Sequence, residues 1–399
     1  MPRHVLIVGG SGMLSDVARA LARDGGRLSH LSRQASTVWG QDGYDCDYHD
    51  EAQFNAALEA ATSRAGRPDL AIAWFRTLKI AAPRRLYRSP AMTREFAAAL
   101  PAADVLHING AYLLPGPTAA RIARQFSVPY VHAPRGMLVP DMIAGKSRWV
   151  KRGWIAGLER TALRGASAIH ATADSEADGL RRLGLDLAPV HVIENGVDAP
   201  PEIDAAESAA LWHDIPRGAR VAMLGRLDWM KGMDIAIRAI ATIPDARLRI
   251  AGPDHAGLRP SLEAVAQETG ASGRVSFAGM IDGSRKWAFL AGADVVLVPS
   301  LRESFGITVA EALAVGTPVV VTEGVGAASL VRRIDPDCVV ARTPDGLAAA
   351  IRSILGDDAR RARLGAAGAA LLRDEYGWDA IACRMIRLYE TILRRPGPR

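Results

Sequence analysis

Four side chains in the second half of the chain have the types and spacing to hold an anion with hydroxyl groups on either side of it. Arg226 and Lys231 stand in Gly225-Arg226-Leu227-Asp228-Trp229-Met230-Lys231-Gly232, after the apolar run Val221–Leu224 and before an amphipathic segment whose apolar positions are Ile235, Ile237 and Ile240. Ligands of open α/β sheets bind at the carboxyl edge of the strands. A guanidinium at a strand end and an ammonium at the next helix start would clamp a phosphate or diphosphate there. Taken alone, the same two cations would also suit a solvated loop, though less well than a clamp.

Glu303 and Glu311 lie in Pro299-Ser300-Leu301-Arg302-Glu303-Ser304-Phe305-Gly306-Ile307-Thr308-Val309-Ala310-Glu311, after the apolar run Asp294–Val298. The pattern predicts a loop ending at Gly306 and a helix from about Ile307 to Val315, whose unpaired first-turn amides face the same edge as the two cations and suit an anion. One carboxylate sits in the loop and the other more than a turn inside the helix, so they cannot share a proton. They would accept hydrogen bonds from hydroxyls at two points of one extended ligand. The alternative makes Glu311 a helix-face residue and Glu303 a capping acid. Convergence of both acids, both cations and a helix N-terminus on one edge favours the ligand.

Positioning such a group requires parallel sheets, and the chain reads that way almost from end to end. Its 399 residues, 49% hydrophobic and 23% charged, exceed one compact core and predict two domains. Short apolar runs alternate with helical-period segments, the pattern of an α/β class with helices on both faces of each sheet. In the first part the strand candidates are His4–Val8, Arg27–Leu31, Leu70–Trp74, Val105–Ile108, Tyr130–Ala133, Ala168–Ala171 and Val190–Ile193. After the turn Asn195-Gly196-Val197-Asp198 and the stiff Pro200-Pro201, they are Arg220–Leu224, Arg247–Ala251, Arg274–Ala278, Asp294–Pro299, Pro318–Thr322 and Cys338–Ala341. The expected architecture is two facing Rossmann-like, doubly wound domains, residues 1–198 and 199–376, with the cleft between them as the default site. A final helix, 377–399, carries Ile381, Met385, Leu388 and Ile392 on one face, to lie on either domain, a return to the first included.

Composition removes other classes. Cys46, Cys338 and Cys383 stand apart, which gives no disulfide framework and no metal-ligand spacing and points to a reducing, cytoplasmic compartment. Neither a signal peptide nor a membrane-spanning helix is expected. The net charge of +6 favours anionic partners, but aromatic residues make up only 6%, too few for the extended run of rings and cations that a nucleic-acid stacking platform requires, and nucleic-acid binding is not expected. Asp45-Cys46-Asp47 and Asp335-Pro336-Asp337 fit a metal-binding Asp-x-Asp string too short to be selective, and no metal site is expected.

From about Pro83 onward the chain resembles the retaining glycosyltransferases of family 4, which have the two-domain GT-B architecture. The resemblance rests on ESFGITVAE (303–311), GRLDWMKG (225–232), ENGVD (194–198), DVLHING (104–110), HAPRGML (132–138) and the spacing between them. It implies that Arg226 and Lys231 hold the diphosphate of a donor and that Glu303 touches hydroxyls of the transferred sugar. It also implies that the amides of Ser304, Phe305 and Gly306 run along sugar and phosphate and that Glu311 binds the ribose. The base of a UDP- or GDP-sugar would meet Gly279-Met280-Ile281, mostly through backbone and shape, with Met280 as the contact. The implied enzyme moves a hexose with retention to a saccharide or lipid-linked acceptor, in polysaccharide or glycolipid biosynthesis. Fixed cations would stabilise the leaving diphosphate without a metal or other cofactor.

Two regions depart from that pattern. Gly9, Gly10 and Gly12 after the first strand, then Arg33 and Asp47-Tyr48-His49-Asp50, resemble the start of a short-chain dehydrogenase, where such glycines admit a dinucleotide pyrophosphate and an Arg pairs with the 2′-phosphate of NADP. No Tyr in the chain has a Lys four positions later, as that chemistry requires, so a substituted first βαβ unit is inferred, its glycines kept as cofactor contacts. An NADP-binding module on a vestigial transferase, and a nucleotide-sugar binder without turnover, are the competing readings. At Arg135 many relatives carry His. Arg cannot act as a base, and it would bond sugar or an anionic acceptor, or form a structural salt bridge. Asn109 ends a strand as an acceptor contact, whereas His107 and His132 read as satisfied core histidines. Finally, Lys146-Ser147-Arg148-Trp149-Val150-Lys151-Arg152-Gly153-Trp154-Ile155 would rest on anionic headgroups at the inner face of a membrane, or else anchor Trp149 and Trp154 in the core.

Overall fold

The computed structural model describes residues 4–8, 27–34, 70–76, 90–140, 143, 148–281 and 283–394. The chain divides into two compact units, one formed by residues 1–194 with 378–399 and the other by residues 195–377. The division expected after Asp198 therefore falls after Glu194. The reason is local: the Val197 amide bonds to the Tyr376 carbonyl at 2.9 Å and Val197 bridges to Gly377, which ties the ENGVD turn to the second unit.

The first unit is built on β1 (His4–Val8), β2 (Arg27–Gln34), β3 (Leu70–Arg76), β4 (Val105–Asn109), β5 (Tyr130–Ala133), β6 (Ala168–Ala171) and β7 (Val190–Val192), all parallel in the order β3-β2-β1-β4-β5-β6-β7. Strands β4, β5 and β6 are buried along their whole length, as a sheet covered on both faces demands. One face packs the helix Pro115–Gln125 and its neighbours on Leu106, Ile108, Tyr130 and Ile169. The other, carrying Val105, Val131 and Ala168, is covered by the last helix, Trp378–Arg394, through Ile381, Met385, Leu388, Tyr389 and Ile392. The apolar stripe read from the sequence thus returns to the first sheet.

The second unit has β8 (Arg220–Leu224), β9 (Arg247–Ala251), β10 (Val275–Gly279), β11 (Val295–Val298), β12 (Val319–Thr322) and β13 (Val339–Val340), parallel in the order β10-β9-β8-β11-β12-β13. Three predicted strands are trimmed at a polar or proline end. The Asp294 carboxylate accepts the amides of Gly218 and Arg220 at 2.7 and 2.9 Å instead of extending β11. Arg274 turns its guanidinium onto the carbonyls of Ile240, Ala241 and Ile243, closing the helix Met233–Ala241 rather than opening β10. Pro318 has no amide to give to the ladder, and β12 starts at Val319.

In both sheets the order reverses between the first and fourth strands, β1 and β4 in one and β8 and β11 in the other. At such a switch point the two following loops leave in opposite directions and open a crevice at the carboxyl edge. Among the described residues no helix is long and apolar enough to cross a membrane.

Candidate functional site

At the switch point of the second sheet, Gly225 leaves β8 with its amide on the Ala251 carbonyl at 2.9 Å, and the loop runs through Arg226 to a single turn, Trp229–Lys231, capped by the Asp228 carboxylate. The loop after β11 crosses it: the Leu301 amide donates to the Met230 carbonyl at 2.7 Å, and Glu303 bridges to Val325 beside β12. These contacts set Lys231 against Glu303, with Nζ 2.9 Å from Oε1 and the side chains 26% and 16% exposed. Ser300 Oγ donates to the same oxygen at 2.6 Å. Oε2 lies on the Gly306 side, 3.7 Å from where a Cβ at that position would stand.

Gly306 caps the helix Ile307–Ala314 with φ +94°, a conformation that favours glycine. Thr308 in the first turn of that helix donates to the Leu224 carbonyl at 3.4 Å, which seats the helix N-terminus beside the end of β8. Arg226 is exposed on the same loop and meets no ion-pair partner among the described residues. Ser304 is exposed, while the Phe305 ring turns into the core, so only its backbone stays at the edge. The structure brings together Lys231, Glu303, Ser304, Gly306 and the end of β8, a half-exposed ion pair at a helix N-terminus.

Glu311 is one turn further in, buried at 9% exposure, and Lys286 Nζ lies 2.6 Å from its Oε1. Burial pushes the Glu311 carboxyl above the usual range, the Lys286 ammonium pulls it back, and nearby Asp198 adds to the rise. Lys286 was missed in the sequence. Its signal was topological: it opens the helix Gly283–Gly292, at the same carboxyl level as the other cations, after an edge strand with no glycine-rich fingerprint. Met280, before that helix, is 67% exposed.

At the switch point of the first sheet, β4 ends in Asn109, whose Oδ1 accepts from Arg135 Nε at 2.9 Å. The structure therefore joins these two candidates to each other. Arg135 and Gly136 have φ +56° and +74°, and the turn is pinned by the buried Glu176, which accepts the Gly136 amide with one oxygen and the Thr172 amide and hydroxyl, each at 2.8 Å, with the other. Burial lowers the Arg135 pKa against the pull of Glu176 and Tyr389. Glu176 was also missed, although a Glu in the first turn of a helix, reaching back to the chain before it, is a capping pattern.

The expectation of satisfied core histidines holds only in part. His107 Nδ1 lies 2.7 Å from the Tyr389 hydroxyl, with His170 packed edge-on at 5.5 Å and bonded to the Ile193 carbonyl. His132 Nε2 lies 3.2 Å from the Gly110 carbonyl and 3.4 Å from Glu159. Yet among the described residues His107 Nε2, His132 Nδ1 and His170 Nδ1 find no hydrogen-bond partner. Burial drives His107 well below its ordinary pKa and His170 to about 3, so both are neutral rings.

Gly9, Gly10, Gly12, Asp45, Asp47, Lys146 and Ser147 lie outside the described residues. Asp335 caps a turn through the Asp337 amide and pairs with Arg360 at 2.8 Å, a structural role for that Asp-x-Asp string. Among the described residues no group of three or more His, Cys, Asp or Glu is placed to hold a metal ion. Trp154 is half-buried with its indole N–H on Glu159 at 2.7 Å, whereas Trp149 is 68% exposed, so the two do not anchor the helix alike.

Comparison with known proteins accords with this division. Residues 215–370 match the family of glycosyl transferases group 1, and residues 9–196 match a glycosyl transferase 4-like domain. The second match starts well before Pro83, so the dehydrogenase-like opening falls largely within a transferase domain. A D-inositol 3-phosphate glycosyltransferase of Xylanimonas cellulosilytica is 33% identical over 311 residues, 73% of each chain. Among solved structures, sucrose-phosphate synthase from Thermosynechococcus elongatus superposes with a TM-score of 0.69 at 22% identity, over 98% of this chain and 99% of that one. HepE of Anabaena, solved with UDP and glucose, gives a TM-score of 0.71 at 18% identity, over 98% of this chain and 100% of that one.

Proposed function

The chain belongs to the glycosyltransferases, with two Rossmann-like units of the GT-B type, and within that family we propose that it moves a hexose from a UDP- or GDP-linked sugar to a saccharide or lipid-linked acceptor, with retention and without a metal, in polysaccharide or glycolipid biosynthesis. The observation that carries this reading is the Lys231–Glu303 pair beside a helix N-terminus at the second switch point. An ammonium and an exposed guanidinium at Arg226 would meet the diphosphate, and the helix amides would add partial positive charge. The carboxylate of Glu303 would then accept sugar hydroxyls, while Glu311, held by Lys286, accepts those of the ribose. Solved HepE with UDP and glucose supports such a donor.

Breaking a sugar–phosphate bond builds negative charge on the leaving diphosphate. Preorganised cations stabilise that charge more than they stabilise the bound donor, which is what lowers the barrier. Retention follows if a leaving phosphate oxygen assists removal of the acceptor proton on the same face, with no protein nucleophile. The experiment is nucleotide release from a panel of UDP- and GDP-sugars with acceptors, run with and without EDTA, beside thermal shift with NADPH. Release that persists in EDTA supports the reading. Stabilisation by UDP or GDP without release would favour a binder, a shift with NADPH alone would favour a dinucleotide module, and activity lost to EDTA and restored by Mg²⁺ would overturn metal independence.

A further inference from the structure

The helical stretch that opens at Arg148 turns two of its arginines and several of its large apolar side chains outward. Arg148, Trp149, Val150 and Arg152 are all exposed, Trp149 by 68% and Val150 by 59%, and Leu158 in the π-helical turn Ile155–Glu159 adds 38%. No acid occurs from Arg148 to Leu158. The guanidinium carbons of Arg148 and Arg152 stand 5.1 and 5.4 Å from the centre of the Trp149 ring, so indole and cations form one unit.

We propose that this surface docks the protein on an anionic lipid bilayer. Trp settles at the headgroup level, where its ring is half in hydrocarbon and its N–H stays wet, and the apolar stems of arginines carry their charge up to lipid phosphates. Val150 and Leu158 add apolar area beside the ring, and the cations supply attraction to the anionic leaflet. An acidic protein would answer the arginines but leave Trp149 and Val150 without a purpose. A nucleic-acid base would need the ring faces over which the guanidinium groups already stand. The inference goes beyond the proposed reaction and holds whichever donor the second unit takes.

The test is co-sedimentation of the full chain with phosphatidylcholine vesicles, with and without phosphatidylglycerol, over a range of salt. The native protein should bind the anionic vesicles, and binding should weaken as salt rises. Arg148→Gln with Arg152→Gln should lower the partition coefficient about twenty-five-fold, at about fivefold for each cation removed. Trp149→Ser should lower it at unchanged salt dependence. The replaced side chains are exposed, so both variants should keep the native melting temperature. Equal binding to pure phosphatidylcholine, salt-independent binding, native-like binding by the double variant, or retention on heparin without vesicle binding would each overturn the proposal. The salt series on native protein decides the matter even if a variant misfolds.

Discussion

The two sheets share one winding and differ in what stands at their switch points. In the second, the polar groups are charged and part-exposed: Lys231 and Glu303 are 26% and 16% open, and Arg226 lies on the surface. In the first, His107 on β4 and its neighbours His132 and His170 are sealed at 0–1% exposure, and Arg135 in the loop after β5 is bonded to the Asn109 amide. A part-exposed ion pair can exchange its partner for a ligand at small desolvation cost, whereas a sealed ring can only hold neighbouring elements together. On the proposed reading one topology would serve grip in one unit and scaffolding in the other, with the loops deciding which.

That contrast breaks most readily at the charged edge. Arg226→Ala or Lys231→Ala should lower kcat by about 10²- to 10³-fold, the scale of losing one preorganised electrostatic donor, in steady-state nucleotide release. Glu311→Gln should cost about ten- to a hundredfold in kcat/KM, as for hydrogen bonds to a charged group. Lys286→Met should act through the same carboxyl. With the ammonium gone, the Glu311 pKa rises further, so the variant should lose donor affinity as pH falls through a range where the native enzyme is unaffected.

Positions that shape the backbone and the core of either unit give smaller effects, read as stability. A Cβ at Gly252 would stand 1.9 Å from the Gly225 carbonyl, backbone that cannot swing away, and φ there is +143°. Gly252→Ala should destabilise by about 1–3 kcal/mol in denaturant unfolding and displace the start of the Arg226 loop. Tyr389→Phe removes the partner of His107 Nδ1 and should cost about 1–3 kcal/mol with donor affinity unchanged.

The histidines also set a pH dependence. His170 falls from 6.5 to about 3 in the folded protein, so below pH 6.5 the unfolded chain binds a proton that the native state refuses. Stability from this group is complete above that pH and is lost as pH falls towards 3, by at most about 1.4 kcal/mol per pH unit. Melting temperatures between pH 7 and pH 4 check the sign, and His170→Gln should flatten the slope.

Much of this was legible because parallel strands announce themselves as short apolar runs. All of β1 to β13 were foreseen, to within a few residues at their ends. Errors fell where a polar residue had a better use than extending the ladder, as Asp294 and Arg274 do. Arg226, Lys231, Glu303 and Glu311 were legible from their place after a strand or in the next helix. Lys286 was not, because its role arises from a partner 25 residues away that no local pattern predicts, and Glu176, whose bonds to Thr172 fit a capping pattern, also holds the Gly136 amide 40 residues away, which no local pattern shows. The half-satisfied histidines were hidden as well, since an apolar strand shows that a ring is buried and says nothing of its second nitrogen.

The central claim is that the carboxyl edge of the second sheet grips a nucleotide through its diphosphate. Titration calorimetry of UDP, GDP and the parent nucleosides against the native protein and the Arg226→Ala/Lys231→Ala double variant tests it directly. Diphosphate binding should weaken at least about a hundredfold in the variant while nucleoside binding is unchanged. Equal affinity of native and variant proteins for the diphosphates would contradict it.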